Sequence, residues 1–147
     1  MNRKFSPKVK KIIQQSREEA IKMGQSSIGT EHFLLGILED KEGLTAKVFD
    51  SLEIDMDALK SRISESNVKE AEADTHYNMG NIPLNKNAEK VLKVTFLEAK
   101  VYKNEEIQPE HLMLSILKHK DNTASILLDE FSLDYDTFKT ELEFARQ

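Results

Sequence analysis

Apolar residues recur along this chain at helical spacing. Over positions 6–24, Val9, Ile12, Ile13, Ala20 and Met23 fall three, four or seven positions apart and define one face of a helix. Ser6 is a good N-cap, Pro7 suits the first helical position, and Gly24 is a natural stop. A second helix is expected from Gly29 or Thr30 and carries Phe33, Leu34, Leu35, Ile37 and Leu38. It is apolar on most sides, so it is expected to be the most buried. The spacing predicts a third helix over roughly 45–52 and a fourth after Asp55, with Met56, Leu59 and Ile63 on its apolar face.

The pattern then returns 79 positions later. Residues 5–63 align without a gap on 84–142, with 14 identical pairs among 59 positions. Ile28/Ile107, Glu31/Glu110, His32/His111 and Glu19/Glu98 are among them. Most other core positions match in apolar character. The expected architecture is all-α: two four-helix units in tandem, repeat one 5–63 and repeat two 84–142, related by a pseudo-twofold. The segment 64–83 between them is polar and acidic, ends in Gly and Pro, and reads as a linker. Units of this size bury little alone, so the halves are expected to share an interface and behave as one domain.

Register between the repeats refines one helix start. Pro109 stands where repeat one has Thr30, and proline favours the first helical position. Gly29 and Gln108 are then the N-caps, with Thr30 as the alternative cap in the first copy. Either way Glu31 and Glu110 fall in the first turn, where the helix macrodipole favours a carboxylate by about 0.3–1 kcal/mol.

Composition narrows the chemistry. The 147 residues carry a formal net charge of −5, which argues against nucleic-acid binding, since phosphate neutralisation needs a basic face. Cysteine is absent, so disulfides, Cys-based zinc sites and thiol nucleophiles are excluded, and a reducing compartment fits. No apolar run is long enough to span a membrane, and the basic start Met1–Phe5 lacks the apolar stretch of a signal peptide. Neither a Walker A motif nor a dinucleotide fingerprint occurs.

His32 and His111 are repeat equivalents at helix starts, which fits packing or capping rather than a metal site. His76 and His119 are expected to be solvated. Glu18, Glu19, Lys22 and Glu98 read as a solvated helix face, and Arg3, Lys4, Lys8, Lys10 and Lys11 as an exposed basic one. No nucleophile, metal cluster or cofactor loop is visible, so no enzyme is expected in this chain. Phe5, Tyr77, Met79 and Ile82 are candidate partner-contact residues, with packing of the linker on the core as the favoured role.

The strings F-S-P-K-V-K-K-I-I, G-Q-S-S-I-G-T-E-H-F-L-L-G-I-L and E-G-L-T-A-K-V-F, with the echo I-Q-P-E-H-L-M-L-S-I-L in repeat two, resemble the amino-terminal repeat domain of bacterial Clp ATPases, the ClpC type most. The resemblance covers positions 3–145. It implies a substrate- and adaptor-docking domain, with MecA-like or ClpS-like adaptors. The domain would belong to a hexameric AAA+ unfoldase that feeds the ClpP peptidase in the cytoplasm. The ATPase modules, with their ATP and magnesium, would lie outside this chain, and the isolated domain would be a monomer. It further implies a phosphoarginine site in repeat one at Ser6, Ile28, Gly29, Thr30 and Glu31. The second copy is weaker, because Asn85 replaces the hydroxyl and Gln108-Pro109 replace Gly-Thr beside Glu110. A free-standing helical interaction protein without an ATPase is the alternative.

Overall fold

A computed structural model describes residues 4–68 and 82–147. Repeat one comprises β1 (Lys4–Phe5), α1 (Pro7–Lys22), α2 (Thr30–Leu38), α3 (Leu44–Ser51) and α4 (Met56–Val68). Repeat two comprises α5 (Lys86–Val101), β2 (Glu106–Ile107), α6 (Pro109–Lys118), α7 (Thr123–Glu130) and α8 (Tyr135–Ala145). The all-α reading therefore holds: among the described residues the extended pairing is limited to these two-residue strands and one isolated parallel bridge, Ile28 with Leu84. α4 continues to Val68, so the first residues assigned to the linker are helical. His76, Tyr77 and Met79 lie outside the described residues.

Local chemistry explains the helix ends. Ser6, Asn85, Asn122 and Asp134 each accept a hydrogen bond from the backbone N–H three residues on, the standard N-cap arrangement. α1 and α5 both stop in a residue at positive φ, Gly24 at 74° and its counterpart Lys103 at 57°. Glycine adopts this conformation freely and lysine does so at a cost, so the turn is imposed by the fold in the second copy.

α2 and α6 form the centre. Every residue of α2 is buried, and in α6 every residue except the terminal Lys118. α1 lies antiparallel on α2: Ile12 packs so closely on Gly36 that a Cβ there would sit 2.8 Å from the Ile12 carbonyl oxygen, and Lys8 bridges to Asp40 at 3.1 Å beyond the end of α2. α5 packs on α6 in the same way.

The repeats are interlocked. α3 packs on α8 and α4 on α7, so each unit places its last helices against the other. Phe49 and Phe138 meet edge to face with ring centroids 6.5 Å apart. Arg62 binds both carboxylate oxygens of Glu130, at 2.8 and 3.1 Å. One continuous core contains Phe33, Leu34, Phe49 and Ile63 of repeat one and Leu114, Ile116, Leu128 and Phe138 of repeat two. Ile82 joins that core, and Phe5 packs on Phe96 at 5.5 Å, so both serve packing.

Candidate functional site

The start of each repeat pairs with the other repeat. Phe5 lies in register with Ile107 in a parallel pairing, and Leu84, the counterpart of Phe5, forms a parallel bridge with Ile28, the counterpart of Ile107. Ser6 N–H donates to Ile107 O at 3.0 Å, and Asn85 N–H donates to Ile28 O at 2.8 Å. This reciprocal exchange builds two corners at the N-termini of the two central helices.

The first corner contains Ile28, Gly29, Thr30 and Glu31 with Asn85 of repeat two. Gly29 is the N-cap of α2, and Thr30 is its first residue rather than its cap. The Glu31 carboxylate folds back over Gly29: a Cβ on Gly29 would collide with Glu31 Oε1 and lie 3.0 Å from Asn85 Nδ2. The carboxylate thus occupies space that a side chain at position 29 would take. Glu31 is 6% exposed, and the helix N-terminus beside it supplies positive potential.

Ser6 does not belong to this corner, contrary to the sequence expectation. α1 runs antiparallel to α2 for 16 residues, roughly 24 Å, so its N-cap sits by the end of α2 and not its start. Ser6 instead abuts Ile107 and joins Gln108, Pro109 and Glu110 in the second corner. Asn85, expected in the second site, belongs to the first. Each corner therefore keeps half of the expected set: Gly29 and Glu31 without the hydroxyl in one, Ser6 and Glu110 without the glycine in the other.

Gln108 changes the second corner. It adopts the same extended N-cap backbone as Gly29, but its Cβ fills the space that the Glu31 carboxylate occupies in the first copy. Glu110 turns instead to Arg146, whose Nη2 donates to Oε2 at 3.2 Å. Glu110 also faces a cavity of about 300 Å³ lined by Lys8, Asp40, Thr45, Asn104 and Gln108.

The two buried histidines are caps. His32 Nδ1 accepts from Gly29 N–H at 2.8 Å, and His111 Nδ1 accepts from Gln108 N–H at 2.9 Å. Each does the work of the glutamate in a capping box. With Nδ1 an acceptor, the ring proton is on Nε2, which is buried without a partner in both. Burial pushes both pKa values down to about 4, with Arg146 adding to the effect at His111. No cluster of metal-ligating side chains occurs among the described residues.

Two readings of single residues change, and one surface feature is new. Glu98 is not on a solvated face: it is 1% exposed and accepts from Tyr135 Oη at 2.8 Å and Lys118 Nζ at 3.0 Å. Its counterpart Glu19 has Met56 and Glu39 at the equivalent positions and remains half-buried. His119 is half-buried, with Nδ1 2.8 Å from Ser115 O. An apolar stripe on α5, Leu97 and Val101 with Phe96 beside them, is exposed where α1 carries Glu18, Lys22 and Arg17. The repeat alignment contains that signal, though helical periodicity alone passes over it.

Comparison with known proteins places this architecture. The Clp repeat (R) N-terminal domain model matches residues 4–131. The chain is 27% identical to a Clp protease ATP-binding subunit ClpA homolog of Guillardia theta, over 97% of this chain and 17% of that protein. It is 28% identical to chloroplastic ClpC1 of Arabidopsis thaliana, over 97% of this chain and 15% of that protein. It is 24% identical to the chaperone ClpB of Oceanobacillus iheyensis, over 95% and 17%. It thus spans less than a fifth of these relatives' length. The fold superposes on the Hsp104 N-terminal domain of Candida albicans with a TM-score of 0.79 at 18% identity, covering 95% of this chain and 89% of that one. The N-terminal domain of ClpD from Arabidopsis thaliana gives 0.73 at 19% identity, covering 96% and 93%. With the family model matching most of its length and the fold agreeing, the chain belongs to the Clp repeat N-terminal domain family.

Proposed function

We propose that this domain recognises protein substrates and adaptors for a ClpC-type AAA+ unfoldase in the cytoplasm, and that it does so through arginine-derived groups received at the two corners. The observation that carries this reading is the Glu31 carboxylate, buried beside the N-terminus of α2 and next to the Asn85 amide. A phosphoarginine presents a guanidinium and a phosphate side by side. Glu31 accepts from the guanidinium in a charge-assisted pair. The first-turn N–H groups of α2 and the Asn85 amide lie where they can donate to the phosphate. The reading assigns no catalysis to this chain. ATP and magnesium belong to the ATPase modules of the longer protein, and ClpP to its downstream partner. MecA-like or ClpS-like adaptors are the partner class.

Calorimetric titration with phosphoarginine tests the site. Binding by the wild type that is lost in Glu31→Gln supports it. Binding unaffected by that substitution assigns the ligand elsewhere.

A further inference from the structure

The second corner holds its own arginine. The Arg146 guanidinium donates to Glu110 and stacks over the Tyr102 ring, 5.0 Å from its centroid. A carboxylate on the edge and an aromatic face beneath suit a planar guanidinium better than an ammonium. Glu110 is 8% exposed at its side chain and Arg146 31%, so the receptor is built into the domain while its occupant reaches it from the rim.

Repeat one has neither the tyrosine nor the arginine at the matching positions. Met23 stands at the position equivalent to Tyr102, and Asn67 at that equivalent to Arg146. The surroundings also differ in charge. Glu110 and Glu143 lie near enough to act on the Tyr102 hydroxyl, as does Glu98, whose charge is already met by Lys118 at 3.0 Å. With the resident guanidinium withdrawn, the cradle is anionic, which favours a cationic arginine and disfavours a phosphorylated one.

Arg146 is the C-cap of α8, held there by its own N–H to Leu142 O at 3.1 Å. The last fully buried residue of that helix is Leu142, and the turn beyond it exposes Phe144 to 63%. Only Ala145 of this turn packs on the core, so the turn opens at smaller cost than the rest of α8.

We infer that Glu110 and Tyr102 form a receptor for an unmodified arginine of a partner protein, and that Arg146 is its tethered competitor. This rests on reading the corners as guanidinium sites. The two corners are then differently tuned, with the resident arginine found at Glu110 and no arginine at the matching position of repeat one.

The test is an NMR titration of the full chain with N-acetyl-arginine amide, N-acetyl-lysine amide and phosphoarginine as separate probes. Removing the competitor in Arg146→Gln strengthens binding of the arginine probe at Tyr102 by about tenfold, the scale of one ion pair plus one cation–π contact. Arg146→Lys, which keeps the charge and loses the planar stack, falls between wild type and Arg146→Gln. The lysine probe binds more weakly than the arginine probe throughout. Unchanged affinity in Arg146→Gln overturns the inference, as does undiminished binding in Arg146→Gln/Glu110→Gln. Preserved Phe138 resonances show that each variant is folded. Failure of the broader reading is separate: it appears as no response of the Gly29 amide to phosphoarginine in the wild type.

Discussion

The Thr30 hydroxyl accepts a hydrogen bond from the backbone N–H of Ala124 at 3.1 Å, across 94 positions of sequence. Thr30 opens α2, yet it satisfies an otherwise unpaired donor at the start of α7 in the other repeat. The pseudo-symmetric contact is missing. Pro109 replaces the threonine, and the hydroxyl of Thr45, the residue facing it, is buried without a partner. One of the two inter-repeat seams is therefore pinned by a cap and the other is not.

Replacing Thr30 with valine keeps the shape and removes the acceptor. The expected loss is about 1 kcal/mol, the usual worth of an N-cap or of one buried hydrogen bond. Urea unfolding checks it. A substitution without effect would show that the seam is held by packing alone.

Glu98 and Glu19 occupy equivalent positions and should respond differently. Glu98→Ala leaves Tyr135 Oη without its acceptor and Lys118 without its partner, and costs about 2–3 kcal/mol. Glu19→Ala removes one half-buried contact to Gln15 and costs about 0.5 kcal/mol or less. Denaturant midpoints of the two variants give the comparison.

The capping histidines make stability depend on pH. Both have folded pKa values near 4, below the ordinary 6.5. Between these values the unfolded chain binds protons that the folded chain does not. Stability is therefore complete above pH 6.5 and falls as the pH drops toward 4. The lowering is worth about 3 kcal/mol for each histidine over the full window. Urea midpoints at pH 7.5 and 5 should fall together with proton uptake on unfolding at the lower pH. Equal midpoints would mean that neither ring is held neutral by the fold.

Much of this was legible in the sequence, and what was missed follows a rule. Val9, Ile12 and Ala20 announce α1, and Ser6 and Asp134 announce their caps, because these signals lie within one turn of the chain. The repeat offset gave the pseudo-twofold. It did not give the exchange at Phe5 and Leu84, since periodicity says which face is apolar but not which neighbour covers it. Ser6 and Asn85 were therefore each assigned to the other's corner. Glu98 was misread for the same reason: its partners Tyr135 and Lys118 are distant in sequence, and Glu19 shows the same local pattern without them. Comparing the non-identical counterparts, such as Gly29 with Gln108 and Met23 with Tyr102, carries more about function than the identities do.

The account rests on corners built jointly by the two repeats. An NMR titration with phosphoarginine, read at the Gly29 amide, tests this in wild type, Asn85→Ala and Ser6→Ala. Both substitutions remove an N-cap of similar worth, about 1 kcal/mol, so a general loss of stability affects them alike. The exchanged architecture predicts weaker binding at Gly29 in Asn85→Ala and unchanged binding in Ser6→Ala. The opposite pattern, with Ser6 controlling the Glu31 corner, would contradict it.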